Sequence, residues 1–317
     1  MHTLKLNNGL TLPAFGLGTW KSAPGEVKQA VVEAVKAGYR HIDCAWIYGN
    51  EAEVGQAFAE LFAQGVVTRD DLWVTSKLWN DRHRPEDVAG GLAETLSNLG
   101  LDHLDLYLIH WPVAHKKGVV APETGADQLS LDEVPLAETW GAMEALVDAG
   151  TCRSIGVSNF SVAKLTDLMG KARIAPVANQ VESHPYLQQP ALFEYCKSVN
   201  IALTAYSPLG SGDRAAQFKP ADEPVLLEDT TIVEIAEGHG ASPAQVLIAW
   251  ALQRGTSVIP KSVNPGRIRQ NIAATEIKLS DDDMTRIAGL ERHRRYIDGT
   301  FWAKEDGPYT LESLWDE

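Results

Sequence analysis

The sequence predicts an α/β fold, a single (β/α)8 TIM barrel, and three observations support this prediction. Eight short apolar segments recur along the chain, and a stretch with helical spacing of apolar residues follows each of them. No linker rich in Pro, Gly or Ser divides the chain, which favours one barrel domain over residues 1–317 rather than two doubly wound domains. A length of 317 residues is also common for a closed barrel.

A β-hairpin is predicted ahead of the barrel. Residues Thr3–Asn7 and Leu10–Pro13 alternate between apolar and polar side chains, and Asn8-Gly9 lies between them. Asn-Gly favours a tight turn because both of its positions accept a positive φ. We therefore expect a small cap outside the main sheet.

The barrel itself is predicted from alternating strand and helix signals. Helices are marked by N-cap residues, apolar spacing and a terminal glycine, most clearly over 24–37, 51–64, 136–149, 161–170, 264–274 and 281–289. The predicted strands are FGLGT (15–19), RHID (40–43), LWVTSK (72–77), LDLYLIH (104–110), RSIGVSN (153–159), PVANQVE (176–182), ALTAY (202–206) and SVIPK (257–261).

Two connections and the C-terminal tail do not belong to the repeating pattern. Residues 112–134 and 207–229 are long for barrel loops, and both leave the carboxyl ends of strands, where barrel enzymes have their active sites. The tail to Glu317 is rich in aromatic residues, so we expect it to pack against the barrel.

Composition excludes several functions. A formal charge of −14 argues against a nucleic-acid partner, since such binding depends on clustered Lys and Arg. No apolar run approaches the roughly 20 residues that span a bilayer, and the N-terminus lacks a signal peptide, so we expect a cytoplasmic protein that does not bind membranes. The three cysteines form no CxxC pair and are predicted to be reduced and mostly buried, and no metal site is predicted.

Polar or aromatic residues stand at the carboxyl end of every predicted strand. A single residue of this kind is more often a helix cap or a solvated loop residue, but a full set on one rim indicates a functional site. The set comprises Thr19, Trp20, Lys21, Asp43, Lys77, His110, Ser158, Asn159, Gln180, Tyr206 and Lys261.

Asp43, Tyr48, Lys77 and His110 are a carboxylate, a phenol, an ammonium and an imidazole, side chains of the types that can transfer or position a proton. A phenol with a pKa near 10 is a poor acid at neutral pH. A neighbouring ammonium lowers the pKa of a phenol, so we expect Lys77 to lower that of Tyr48 and Asp43 to hold Lys77 in place. A neutral His110 imidazole could donate a hydrogen bond to the carbonyl oxygen and orient it.

The motif GYRHIDCAWIYGNE at 38–51 resembles the aldo-keto reductase family, and further matches cover nearly the whole chain. The resemblance implies an NADPH-dependent oxidoreductase that reduces aldehydes to alcohols by hydride transfer, with ketones and open-chain sugars as further candidate substrates. It implies Tyr48 as the general acid. The other matching motifs are LGLDHLDLYLIHWP (99–112), GVSNF (156–160), NQVESHPYL (179–187), YSPLGSG (206–212) and VIPKS (258–262).

The resemblance also implies NADPH or NADP+ as the cofactor, bound without a Rossmann motif, because GLGTWK at 16–21 does not match Gly-x-Gly-x-x-Gly. In that binding mode Ser158, Asn159 and Gln180 hydrogen-bond the carboxamide, and Tyr206 stacks on the nicotinamide ring. Further contacts implied by the resemblance are Thr19, Trp20, Lys21, Asp43, Ser207, Leu209, Ser211, Asp213, Lys261, Ser262, Val263, Asn264, Arg267, Gln270 and Asn271.

A phosphate site is predicted near the eighth strand. Lys261, Ser262 and Asn264 stand at the start of a predicted helix, whose backbone N–H groups favour an anion, and Arg267 follows on its first turn. The resemblance assigns this site to the 2′-phosphate of NADPH. Arg269 is expected to point elsewhere.

Bulky apolar residues near the strand ends predict an apolar substrate cleft. We therefore expect aromatic and medium-chain aldehydes to be better substrates than short polar aldoses, with the tail completing the wall. The predicted lining comprises Trp20, Trp46, Ile47, Tyr48, Trp79, His110, Trp111, Phe301 and Trp302.

Two alternative functions remain open from the sequence. Barrels that resemble this one also serve as non-catalytic, nucleotide-binding regulatory subunits of channels. Another barrel enzyme, such as a lyase or isomerase, would need a metal cluster or a different set of strand-end residues. The predicted partner is a small carbonyl compound, and we expect a monomer, with a weak dimer as the alternative.

Overall fold

The computed structural model describes residues 2–214, 219–220 and 223–317. Its main sheet consists of eight parallel strands, and each coincides with one of the eight strands predicted from the sequence. They are β3 (Leu17–Gly18), β4 (His41–Asp43), β5 (Trp73–Leu78), β6 (Leu106–Ile109), β9 (Ile155–Ser158), β10 (Ala178–Glu182), β11 (Ala202–Tyr206) and β12 (Ser257–Val258). Their order in the sheet is β12-β11-β10-β9-β6-β5-β4-β3.

The sheet closes into a barrel where β3 meets β12. Gly16 N donates to Val258 O at 3.0 Å, and Gly18 N donates to Pro260 O at 3.2 Å. A Cβ at Gly18 would lie 2.8 Å from Ile259 O, so the seam requires glycine at this position. The predicted (β/α)8 barrel is confirmed.

Helices cover the outside of the barrel, and the predicted helix positions are confirmed to within a few residues at their ends. The helices are α1 (Val27–Lys36), α2 (Glu51–Ala63), α3 (Pro85–Leu99), α4 (Leu136–Asp148), α5 (Val162–Lys171), α6 (Pro190–Ser198), α7 (Thr230–Gly238), α8 (Pro243–Gln253), α9 (Pro265–Ala273), α10 (Asp281–Ala288) and α11 (Leu311–Trp315). Two of them, α7 and α8, lie between β11 and β12.

The predicted N-terminal hairpin closes one end of the barrel. Strands β1 (Thr3–Lys5) and β2 (Thr11–Pro13) pair antiparallel in a separate sheet. Buried Leu6 and Leu12 pack against barrel residues from the amino-terminal half of the strands. The hairpin therefore leaves the carboxyl ends of the strands as the open end of the barrel.

The long connection at 112–134 is more regular than the sequence predicted. It contains a second small hairpin, β7 (Ala114–His115) and β8 (Gln128–Leu129). The C-terminal tail is attached to this hairpin, because the Tyr309 hydroxyl donates to Leu129 O at 2.6 Å and accepts from Ala114 N at 2.8 Å. The connection at 207–229 falls partly outside the described residues.

All three cysteines are free and buried, as predicted. Within the described ranges, no helix combines the length and the apolar character needed to cross a bilayer.

Candidate active site

Lys77 lies at the centre of the open end of the barrel, with its side chain completely buried. Its Nζ donates to Asp43 Oδ2 at 2.6 Å, to Cys44 O at 2.8 Å and to the Tyr48 hydroxyl at 3.4 Å. An ammonium group has three N–H donors, so each of them has an oxygen partner here. Strands β4 and β5 are neighbours in register, which brings Asp43 and Lys77 together.

Tyr48 follows β4 in a short 3-10 turn, Trp46–Tyr48. Its oxygen accepts the third and longest bond of Lys77, at 3.4 Å. Catalytic hydrogen bonds are often long before substrate binds. Because the oxygen accepts from Lys77, the hydroxyl proton is free to be donated to a ligand in the cleft.

The pKa of Tyr48 differs from the sequence prediction. Burial raises the pKa of this phenol well above its ordinary value, and the negative charge of Asp43 raises it further. The expected lowering of the Tyr48 pKa by Lys77 is therefore wrong, because the cost of burying a phenolate outweighs the attraction of an ammonium that Asp43 already neutralises. The consequence is that Tyr48 keeps its proton.

His110 lies directly after β6 and faces the ring of Tyr48, with the two ring centroids 5.9 Å apart. Burial and the nearby charge of Lys77 hold the pKa of His110 well below its ordinary value, so the imidazole is neutral. Its backbone is fixed by Asn159, whose Nδ2 donates to His110 O at 3.0 Å. A neutral ring in this position can orient a polar ligand atom, as predicted.

Four polar residues extend the site along the neighbouring strands. Gln180 Nε2 donates to Asp43 Oδ1 at 2.7 Å, the Tyr206 hydroxyl donates to Asn159 Oδ1 at 2.7 Å, and Ser158 Oγ donates to Gln180 O at 2.7 Å. These bonds fix the side chains in one arrangement. Gln180 Nε2 uses one of its two N–H groups for Asp43, so its second N–H and Oε1 are the groups with which Gln180 could meet a ligand.

A continuous cleft of about 1540 Å³ runs over this end of the barrel. It is larger than a typical pocket for one small molecule. Most residues of the predicted cofactor and substrate sets line it: Trp20, Lys21, Asp43, Ile47, Tyr48, Trp79, His110, Trp111, Ser158, Asn159, Gln180, Tyr206, Ser207, Leu209, Ser211, Asp213, Lys261, Ser262, Arg267, Gln270, Asn271, Phe301 and Trp302.

Lys21, Asp213 and Lys261, which the resemblance implies as cofactor contacts, line the cleft and are linked to one another. Lys21 forms an ion pair with Asp213 and donates to Ser211 Oγ at 2.8 Å. Lys261 Nζ lies 3.9 Å from Asp213 and donates to Lys21 O at 3.1 Å. The two lysines, Asp213 and Ser211 thus form one connected polar network along the cleft.

Backbone strain is concentrated at this cleft. Lys21, Asn159, Ser207 and Ser211 line it and have φ between 48° and 63°, a region that residues other than glycine rarely adopt. Such conformations persist only where the surrounding structure fixes them, and they are frequent at ligand-binding sites.

The start of α9 forms the far end of the cleft. Asn264 caps the helix by accepting a hydrogen bond from Arg267 N at 3.0 Å. The exposed Arg267 lines the cleft, whereas Arg269 lies 3.2 Å from Glu33 on α1, so Arg269 points elsewhere as predicted.

Five predicted site residues lie outside the lining of the cleft, and one of them is the buried Lys77 described above. Thr19 is buried and donates to Asp43 O at 2.8 Å, so it joins two strand ends. Trp46 donates to Glu94 at 2.8 Å on the other side of the 3-10 turn, because successive side chains of a tight turn point in different directions. Val263 packs against the core, and Asn264 is engaged as the cap of α9.

Other residues line the cleft but were not predicted from the sequence. Ser242, Pro243 and Ala244, at the start of α8, could be read only as a helix start. Tyr296, Ile297, Asp298 and Thr300 come from the tail, whose position depends on contacts with distant parts of the chain. The remaining unpredicted residues are Gly18, Pro208, Gly212, Arg214, Lys219, Pro220, Leu227 and Ile259.

Fold and site together define a class of protein: a (β/α)8 barrel with a phenol, an ammonium, a carboxylate and a neutral imidazole at the carboxyl ends of its strands. Comparison with known proteins identifies the family. The model of the Aldo/keto reductase family matches residues 12–292, and the chain belongs to that family of oxidoreductases.

Several relatives match over almost their whole length. The chain is 56% identical to aldo/keto reductase slr0942 of Synechocystis sp., over all of this chain and 97% of that protein. It is 49% identical to aldo-keto reductase family 1 member A1-A of Danio rerio, over 93% of this chain and 91% of that protein. The structure of the aldose reductase from Schistosoma japonicum superposes with a TM-score of 0.87 at 42% identity, covering 95% of this chain and 96% of that one.

The buried histidines predict how stability depends on pH. Burial lowers the pKa of His41 and His115 to about 4 and of His83 to about 3, and lowers that of His110 as well. Below about pH 6.5 these histidines bind protons in the unfolded chain but not in the folded protein, so stability falls as the pH drops. Urea unfolding should show a loss on the order of 5 kcal/mol between pH 7 and pH 5.

The variant His83→Gln is the control for this prediction. It removes one of the four histidines that bind a proton only after unfolding. The loss of unfolding free energy between pH 7 and pH 5 should therefore shrink by about 1 to 2 kcal/mol. Equal stability of the unsubstituted protein at the two pH values would show that the histidines are not held neutral.

Proposed function

We propose that this protein is an NADPH-dependent reductase that converts aldehydes to alcohols. The observation that carries the proposal is the hydrogen-bond direction at Tyr48. Its oxygen accepts from Lys77 at 3.4 Å, which leaves the hydroxyl proton available to a carbonyl oxygen in the cleft. The high pKa keeps that proton on Tyr48 until the carbonyl oxygen acquires negative charge.

The residues of the cleft fit a nicotinamide dinucleotide phosphate. A volume of about 1540 Å³ exceeds the need of a small carbonyl compound. Ser158, Asn159 and Gln180 offer amide and hydroxyl groups at one end, and Lys261 and Arg267 offer cations at the other. When bound, the cofactor supplies the hydride that reduces the carbonyl carbon.

The side chains at the strand ends divide the remaining work. Tyr48 donates its proton to the substrate oxygen as general acid. Lys77 then faces the phenolate and stabilises it, and Asp43 holds Lys77 in position at 2.6 Å. His110, as a neutral imidazole, orients the carbonyl oxygen toward Tyr48 by a hydrogen bond.

The aromatic wall favours apolar aldehydes. Trp20, Trp79, Trp111, Phe301 and Trp302 surround the mouth of the site. We therefore infer that aromatic and medium-chain aldehydes are reduced more efficiently than short polar aldoses, with ketones as further substrates. The Schistosoma relative is an aldose reductase, which keeps open-chain sugars among the candidate substrates.

A cytoplasmic, single-domain monomer is the setting that we propose for this activity, with a weak dimer as the alternative. The rival function is that of a nucleotide-binding regulatory subunit without turnover. The enzyme is favoured by the presence of all four side chains, Asp43, Tyr48, Lys77 and His110. A subunit that only binds a nucleotide would not need a buried ammonium next to a phenol.

Replacing Tyr48 by phenylalanine tests the proposed acid. The variant keeps the ring but loses the proton donor, so turnover of an aromatic aldehyde should fall at least about 10² to 10⁴-fold. The affinity for NADPH, measured by quenching of tryptophan fluorescence, should stay within a few-fold of the wild-type value.

Tyr195→Phe is the matched control, because the hydroxyl of Tyr195 accepts a hydrogen bond from Thr166 Oγ1 at 2.8 Å, away from the cleft. Turnover in this variant should equal that of the wild type. Most activity surviving in Tyr48→Phe would refute the assignment of the acid, and wild-type protein that binds NADPH without oxidising it would favour the regulatory subunit.

Arg267 tests the preference for NADPH over NADH. A charge-assisted bond to the 2′-phosphate contributes about 1.5 to 3 kcal/mol, so NADPH should bind at least about tenfold more tightly than NADH. In Arg267→Ala this ratio should fall toward one, whereas Arg269→Ala, which loses only the pair with Glu33, should keep it.

The measurement is the dissociation constant of each cofactor for the three proteins. Equal wild-type affinities for NADPH and NADH, or an unchanged ratio in Arg267→Ala, would contradict the assignment of the phosphate site.

A further inference from the structure

The carboxylate of Glu182 lies at the carboxyl end of β10, two residues beyond Gln180, and only 1% of the residue is exposed. Burying a carboxylate is costly unless hydrogen-bond donors replace its water. Three donors do so here. Tyr296 N donates to Oε1 at 2.7 Å, Ile297 N donates to Oε2 at 2.8 Å, and His184 Nε2 lies 2.8 Å from Oε1.

Two of these donors belong to the backbone of the C-terminal tail, more than a hundred positions away in sequence. Tyr296 and Ile297 both line the cleft, and Phe301 and Trp302 line it a few residues later. The carboxylate therefore fixes the point at which the tail enters the wall of the site.

The same stretch of tail is fixed again at its other end. Gln128 Nε2 donates to Trp302 O at 2.9 Å. Between the two attachments, Phe301 packs edge-on against Trp111, with ring centroids 5.6 Å apart. A segment held at 296–297 and at 302 has little freedom to change the width of the cleft.

We propose that Glu182 is a positioning residue that sets substrate selectivity by holding the tail wall, residues 296–302, against the barrel. This inference rests on the proposed reductase function. Glu182 binds the wall through backbone atoms, so its effect on substrates is indirect. Bulky substrates that contact Phe301 and Trp302 depend on this wall, whereas a short aldehyde that reaches only Tyr48 and His110 does not.

Glu182→Gln is the test variant. Glutamine has the same shape but only one acceptor oxygen, and its NH2 group would face a backbone N–H donor. The KM for a bulky aromatic aldehyde should rise at least about tenfold, a change equivalent to the loss of one well-formed interaction. The KM and kcat for propanal, and the dissociation constant for NADPH, should stay within about twofold of wild type.

Glu144→Gln is the matched control. Glu144 is also a buried carboxylate that accepts from two backbone N–H groups, those of Arg173 and Ile174, both at 2.7 Å, but neither residue lines the cleft. We expect this variant to lose stability without a change in the ratio of kcat/KM between the two aldehydes.

Amide hydrogen exchange supplies a readout that does not depend on turnover. In Glu182→Gln, exchange of a peptide covering 296–302 should accelerate, while exchange of the barrel strands stays at the level seen in Glu144→Gln. If the wild type reduces neither aldehyde, the reductase proposal fails independently of this result. Faster exchange with an unchanged ratio of kcat/KM, unchanged exchange, or an equal shift in the Glu144→Gln control would each overturn the role of Glu182.

Discussion

The buried ion pair between Lys77 and Asp43 is the interaction on which the site depends. An ammonium away from water is stable only when oxygen acceptors replace its hydration, and Asp43, Cys44 and Tyr48 provide one for each N–H group. The pair is possible because β4 and β5 are adjacent parallel strands that end side by side. Its geometry directs the proton of Tyr48 into the cleft, and Gln180, bound to the same carboxylate, links the pair to the predicted nicotinamide contacts.

The barrel and its additions have separate tasks. Parallel strands bring Asp43, Lys77, His110 and Gln180 to one rim, where hydrogen bonds between neighbouring strand ends fix them. The hairpin at the N-terminus closes the opposite end. The tail builds the outer wall, and hydrogen bonds to Glu182 and to the second hairpin attach it to the barrel. We therefore propose that the chemistry depends on the strand ends and the substrate selectivity on the tail.

Features that arise from repetition and local chemistry could be predicted from the sequence. Strand ends could be located from apolar runs, and a parallel barrel necessarily gathers them, so Asp43, Lys77 and His110 were placed correctly on one rim. The pKa of Tyr48 could not be predicted, because a sequence shows which charges are near but not how far burial disfavours a phenolate. The direction of the Trp46 side chain could not be predicted either, because it depends on the conformation of the tight turn, which directs Trp46 toward Glu94 and away from the cleft. Glu182 meets donors that are 114 and 115 positions away, for which no local signal exists.

We propose that the charge of Lys77 assists the proton donation by Tyr48. It is tested most directly by single-turnover hydride transfer from prebound NADPH in Lys77→Met combined with Asp43→Asn, which removes both charges and leaves no unpaired ion buried. We expect this double variant to fold cooperatively, to bind NADPH within a few-fold of wild type and to transfer hydride at least about 10²-fold more slowly. Transfer at a rate close to that of the wild type would contradict it.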